Sequence, residues 1–267
     1  MKLQIAGAAI LGDREEQEDS FHFDEEARES DGYLLILCDG MGGHVGGAYA
    51  SRLVVDEFRR AFWEARDRLP ELACVETAVR AQLHAALSAA HTSLQLEIRE
   101  RDAPSDMGTT LVAVFVCDRD VHWISVGDSH LYHFTAGRLV KLNADHSMGA
   151  VLDELAEIGR ISRDEALTDP NRNALRSCVS EDEIGLVDLH SKASLLNRGD
   201  ALLLASDGLD TLSVEEVTTV LRQRRDRQPG AKLHKLLQRV EDRSGNGQDN
   251  TSLLIALAPR RRLFRFG

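Results

Sequence analysis

Carboxylates recur in this chain where apolar, strand-like runs begin or end. Glu18 and Asp19 precede Phe21 to Phe23, Asp39 follows the run from Tyr33 to Cys38, Asp207 follows Ala201 to Ala205, and Asp249 stands just before Thr251 to Ile255. Strand ends meet when a sheet assembles, and two carboxylates about 4 Å apart repel by roughly 4 kcal/mol at an effective dielectric of about 20. A divalent cation between them removes that cost. The candidate ligands are carboxylate oxygens and backbone carbonyls beside glycine, at Asp39-Gly40 and Asp207-Gly208, with no Cys or His interleaved. Such an oxygen-only shell suits Mg²⁺ or Mn²⁺ over Zn²⁺ or Cu²⁺. Hard cations held this way orient a phosphate, stabilise charge on a transferring phosphoryl group and acidify a bound water, so phosphate-ester hydrolysis is the expected chemistry. A substrate phosphate also calls for a planar cation. Arg14, on the same turn as Glu18, offers a guanidinium for a bidentate grip.

The elements that must position these groups are legible from frequent punctuation. A first strand over Leu3 to Leu11 leads through a polar turn to Phe21–Phe23 and then to the apolar run before Asp39. After the glycine-rich stretch from Gly40 to Gly47, Ala50, Val54, Phe58, Ala61 and Phe62 share one helical face, and a second helical pattern runs from about Pro70 to Arg99. Four short strands follow, Thr110–Val116, Val121–Val126, Ser129–Phe134 and Arg138–Lys141, read as an antiparallel meander because no crossover helix fits the links. Residues 147–176 form a polar, helical excursion. Strands resume at Gly185–His190 and Ala201–Ala205. Ser213 to Glu216 reads as a capping box, Leu233, Leu236, Leu237 and Val240 mark a last helix, and Thr251–Ala258 a last strand. Strands and helices are segregated, so the expected class is α+β, with antiparallel sheets covered by helices.

A chain of 267 residues with 43% hydrophobic content has material for one large core. Lys and Arg number 32 against 44 Asp and Glu, and the net charge of −12 argues against nucleic acid or an anionic membrane as partner. Cys38, Cys74, Cys117 and Cys178 lie scattered and are read as free, mostly buried thiols of a cytoplasmic protein. The start is read as a strand instead of a signal peptide, and no run approaches the roughly 18 apolar residues of a membrane helix. Arg260-Arg261-Arg262 is read as a solvated tail.

The strings Arg14 to Ser20, Asp39-Gly40-Met41-Gly42-Gly43-His44, Met107-Gly108-Thr109-Thr110, Val126-Gly127-Asp128-Ser129, Asp145-His146-Ser147, Arg172-Asn173-Ala174-Leu175, Ser206-Asp207-Gly208-Leu209 and Gln248-Asp249-Asn250 resemble, in order, the signature of metal-dependent type 2C protein Ser/Thr phosphatases in their bacterial form. The resemblance implies a four-layer αββα sandwich of two antiparallel sheets flanked by helices, one phosphatase domain over residues 1–267, and two Mg²⁺ or Mn²⁺ ions at one end. It implies that Asp39 bridges both ions, that Gly40 (through its carbonyl) and Glu18 serve the second, that Asp207 and Asp249 complete the first, and that Arg14 holds the phosphate. Asp19 would support the ligands, Asn250 and Asp128 would be structural, and Asp106 would bind a third ion.

The chain also departs from that pattern. Gln17 replaces an Asn, His130 an Arg, and Asp210 lies one position before the usual third-ion acid, where Thr211 stands. His44 is a candidate proton donor. Residues 147–176 correspond to a flap beside the site. The implied partners are phosphorylated proteins, among them a cognate Ser/Thr kinase or its targets, and the chain is read as a monomer. The alternatives are a catalytically weak phosphatase-like binding module and a phosphoesterase for small molecules.

Overall fold

The computed structural model describes residues 1–25, 32–42, 45–68, 74–100, 106–223, 228–243, 245 and 247–259. His44 and the Arg260-Arg261-Arg262 tail lie outside these. Among the described residues twelve strands and six helices follow in chain order: β1 (Gln4–Ile10), β2 (Ser20–Phe23), β3 (Tyr33–Cys38), β4 (Gly40–Met41), α1 (Val45–Asp67), α2 (Glu76–Glu100), β5 (Gly108–Thr109), β6 (Leu111–Cys117), β7 (Asp120–Val126), β8 (His130–Thr135), β9 (Arg138–Lys141), α3 (Met148–Glu157), α4 (Arg163–Thr168), β10 (Asp188–Lys192), β11 (Ala201–Ala205), α5 (Val214–Arg222), α6 (Pro229–Arg243) and β12 (Thr251–Leu257). A 3-10 turn, Asp207–Thr211, follows β11.

Two five-stranded sheets stack face to face, one ordered β1-β12-β11-β8-β9 and the other β10-β7-β6-β3-β2, with β4 and β5 as a separate pair. Period-two alternation explains why the central strands are apolar on both faces. In β3, Tyr33, Leu35 and Leu37 turn inward against Val112, Val114, Leu202, Leu204 and Leu254 of the layer between the sheets. Leu34, Ile36 and Cys38 turn outward and pack beneath α1 and α2, against Val54, Phe58, Phe62, Leu83 and Leu87. Leu203, Leu253 and Ile255 do the same on the other side, under Val217 and Val220 of α5 and Leu233 and Leu236 of α6. The result is the αββα sandwich. Each fully buried Leu, Ile or Phe contributes about 1.5–3 kcal/mol, and three such layers hold the sheets in register.

Ser213 opens α5 with the expected capping box: its hydroxyl accepts from Glu216 N while the Glu216 carboxylate accepts from Ser213 N. The expected meander is split. β6 pairs with β7 and β8 with β9, but β8 pairs with β11 in the other sheet. Gly127 makes that switch. Its φ of +99° favours glycine, and a Cβ there would stand 2.7 Å from Thr110 Cγ2. The pattern read as a helix from Pro70 begins, within the described residues, at Glu76.

The reading of four free thiols is overturned: Cys74 and Cys117 form a disulfide, while Cys38 and Cys178 are free. Cys117 ends β6, and Cys74 lies in the turn before α2, which packs on that sheet's outer face. Residues 43 apart in sequence therefore come within 6.1 Å, Cα to Cα.

Candidate active site

Sheet register brings the carboxylates together. β2 pairs with β3 so that Ser20 faces Cys38, which sets Asp19 beside Asp39. In the other sheet β11 pairs with β12 so that Ala205 faces Leu253, and Ser206 N donates to Ser252 O at 3.1 Å, which sets Asp207 opposite the approach from Asp249. A buried hydroxyl ties the two ends: Ser206 Oγ donates to Asp19 Oδ2 at 2.9 Å.

Asp39 is held by its backbone. Its N–H donates to Thr110 Oγ1 at 3.0 Å, and its carbonyl accepts from Thr110 N and Thr109 Oγ1, each at 2.8 Å. Gly40 N donates to Glu18 O at 3.2 Å. A Cβ on Gly40 would overlap Gly47 O and lie 2.5 Å from Glu18 O, so only glycine lets the first turn of α1 close on this strand. Glu18 N donates to Asn250 Oδ1 at 2.8 Å and Asn250 Nδ2 to Leu11 O at 2.7 Å, which fastens the segment carrying Arg14 to the entry of β12. Arg14 Nη2 donates to Asp249 Oδ2 at 2.5 Å.

Burial and mutual repulsion shape the electrostatics. Desolvation first, then Asp19 and Asp207, hold the Asp39 carboxyl well above the usual carboxylate range. Burial pushes Asp19 up to about 6, against the hydroxyls that bond it, with Asp207 and Asp249 adding to the rise. Asp207 is raised by burial, Asp249 and Asp210, and shares a hydrogen bond with Asp39 that offsets part of the shift. Asp128 rises to about 6 through burial, Asp207 and Asp145. Partial burial lowers the Arg14 value, but Asp249, Glu18 and Asp207 outweigh it and keep the guanidinium charged.

Of the residues expected from sequence, Asp39, Asp207, Asp249, Glu18, Gly40 and Arg14 share this end of the sandwich. Asp106 does not join them: its backbone lies against Gly42, but the residue is exposed and outside the buried group. Among the described residues no set of three His, Cys, Asp or Glu side chains is arranged to hold a metal ion as it stands. Arg14 engages Asp249, which turns one of its carboxylate oxygens away from the group. The donor set nevertheless fits hard divalent cations. It is all oxygen, its carboxyls are driven towards protonation by burial and by one another, and Asp207 Oδ1 and Asp19 Oδ1 are buried without a hydrogen-bond partner.

Sequence reasoning missed three supports. Asp13 Oδ2 accepts from Gly247 N at 2.8 Å and Gln248 N at 2.9 Å, which shapes the turn that delivers Asp249. Gln248 donates from Nε2 to Gly208 O at 3.1 Å and accepts from Thr211 Oγ1 at 2.6 Å, locking the turn that carries Asp207. Asp128, read as structural, stands within electrostatic reach of Asp39 and Asp207. Gln248 and Asp128 lie within the motif strings, but nothing in the sequence names their partners, and for Asp13 the signal is polarity at a turn, which has many other causes.

A two-sheet sandwich with buried carboxylates and an arginine at one end defines a metal-dependent phosphatase. The family profile described as protein phosphatase 2C matches residues 6–248. A serine/threonine phosphatase, stp, of Listeria welshimeri is 29% identical over 223 residues, covering 83% of each chain. The serine/threonine phosphatase of S. agalactiae superimposes with a TM-score of 0.80 at 25% identity, over 96% of this chain and 99% of that one. The catalytic domain of the phosphatase PstP in complex with two manganese ions does so with a TM-score of 0.70 at 26% identity, over 97% and 99%. The chain belongs to the protein phosphatase 2C family. It is a Mg²⁺- or Mn²⁺-dependent phosphoprotein phosphatase acting on phosphoserine and phosphothreonine.

Proposed function

We propose that residues 1–267 act as one phosphatase domain in which Asp39, Asp207, Asp249, Glu18 and the Gly40 carbonyl would hold two hard divalent cations, with Asp39 serving both. The convergence of Asp39 and Asp207, brought from different sheets into one buried, mutually repelling group of carboxyls, carries this reading. Bound there, the ions supply an activated water and neutralise phosphoryl charge. The chain's own groups do the rest. Arg14 exchanges Asp249 for two phosphoryl oxygens, where its planar fork fixes the ester's orientation. Asp19, pinned by Ser206 Oγ, holds the ligand ends of the two sheets at a set spacing. Asp106, exposed as it is, stays outside this ligand set.

Phosphorylated proteins are the substrates, and we place among them a cognate kinase or its targets. Residues 147–176 act as a flap over the site. We read the chain as a monomer. Among the described residues no helix is long and apolar enough to cross a membrane. The Cys74–Cys117 disulfide weighs against the cytoplasm, since such bonds persist mainly in oxidising compartments. The test of function is Mn²⁺-dependent hydrolysis of p-nitrophenyl phosphate and of phosphopeptides over free nucleotides, lost in Asp39→Asn. Turnover that persists in Asp39→Asn, or a preference for nucleotides, contradicts the reading.

A further inference from the structure

Residues 177–186, between the 147–176 excursion and β10, form a loop closed at its neck. Ser177 Oγ donates to Leu186 O at 2.9 Å and accepts from Leu186 N at 3.0 Å. One side of the loop touches the active-site strand: Thr109 N donates to Val179 O and Val179 N to Thr109 O, each at 2.9 Å. Thr109 in turn bonds the Asp39 carbonyl. The other side is gripped by one stripe of α2. His91 Nε2 meets Ser180 O at 3.0 Å and Asp182 O at 2.9 Å, Gln95 Nε2 donates to Glu181 O at 2.9 Å, and Arg99 Nε donates to Glu181 Oε1 at 3.3 Å. The three side chains stand four residues apart along the helix, so they face one way. Three of the four contacts are made to backbone, which fixes the path of the loop whatever its side chains.

The excursion begins and ends beside the site. At its start His146 N donates to Gly127 O, and at its end Arg176 N donates to His146 O, directly before the clasped loop. Arg172, on the excursion, lies within electrostatic reach of Asp210 in the turn that carries Asp207.

We propose that His91 and Gln95 are positioning residues for protein substrates: from α2 they hold the 177–186 loop, and through it the carboxy-terminal root of the excursion, at the rim of the site. The proposal rests on the phosphatase reading above. Asp39 does not depend on the clasp, because Thr110 N and Thr110 Oγ1 hold its backbone independently. A small ester needs only the carboxylates and Arg14. A phosphoprotein also meets the excursion, and a loosened root costs it binding.

The test compares two substrates in His91→Ala/Gln95→Ala, with His91→Gln as the conservative variant that keeps an N–H donor. Loss of these bonds raises KM for a phosphothreonine peptide about tenfold, with kcat changed less than about twofold, while p-nitrophenyl phosphate turnover and calorimetric Mn²⁺ affinity stay within about twofold. His91→Gln restores most of the peptide KM. Amide exchange at Val179 accelerates about tenfold in the double variant and not at Thr110. Equal losses on both substrates, an unchanged peptide KM, or unchanged exchange at Val179 overturns the proposal. A chain that turns over neither substrate before substitution fails the phosphatase reading instead, and the exchange at Val179 still decides whether the clasp exists.

Discussion

Arg14 donates from Nη2 to Oδ2 of Asp249 at 2.5 Å, across 235 residues of chain. The side chains are 54% and 39% exposed, so the pair is worth about 0–1 kcal/mol, and a doubly charged phosphoryl group takes the guanidinium from it at little cost. Arg14→Ala therefore lowers kcat/KM on phosphate esters about 10- to 100-fold, the effect of losing hydrogen bonds to a charged group. Arg14→Lys, with charge but no planar fork, falls between. Neither variant moves Tm by more than about 2 °C. A large fall in Tm with unchanged kcat/KM would show a structural residue instead.

Asp128 gives the stability a pH dependence of known sign. Burial, then Asp207 and Asp145, raise its carboxyl from 3.8 to about 6. The folded state then binds a proton that the unfolded state has released, so the Asp128 contribution to stability is full below about pH 4 and is lost as pH rises through about 6. With divalent cations chelated, Asp128→Asn raises Tm at pH 7.5 by about 2–4 °C, and the gain shrinks at pH 4.5. An equal gain at both pH values contradicts the assignment.

Thiol chemistry checks the cross-link at the far end of β6. Protein denatured without reductant titrates two free thiols, Cys38 and Cys178, and four after reduction. A loop closed over 43 residues makes the Cys74–Cys117 bond worth about 2–4 kcal/mol, and Cys74→Ser lowers stability by that amount in urea. Four thiols without reductant would contradict the pairing.

Lys232 is buried, and its ammonium donates to the carbonyls of Val220 at 3.3 Å, Leu221 at 2.8 Å and Gln223 at 3.0 Å. It supplies the partners that the carboxy-terminal turn of α5 lacks. Lys232→Met preserves the stem but strands those carbonyls, and costs about 1–3 kcal/mol in urea denaturation with Mn²⁺ affinity unchanged. A neutral outcome would mean that water replaces the ammonium.

Much of the fold was legible because strands buried on two faces leave unbroken apolar runs. β11 at Ala201–Ala205 and the Ser213 cap match the sequence reading residue for residue. The acids at strand ends were legible for the same reason, since an ionisable residue interrupting such a run marks where burial ends. The partition of β7 and β8 between sheets was not legible, because both strands are buried on two faces and period-two patterning assigns no sheet. Nor were Arg14–Asp249 and Cys74–Cys117, contacts between residues far apart in sequence that exist only once the layers stack. The exposure of Asp106, which stands at a motif position outside the buried group, was not legible either.

Isothermal calorimetry of Mn²⁺ into the protein and its Asp39→Asn variant tests the central claim most directly, because Asp39 is assigned to both cations. The account predicts uptake of two ions by the unsubstituted protein and a loss of at least about tenfold in affinity at both sites in Asp39→Asn, with the fold retained. No uptake by the unsubstituted protein, or an Asp39→Asn titration indistinguishable from it, would contradict the account.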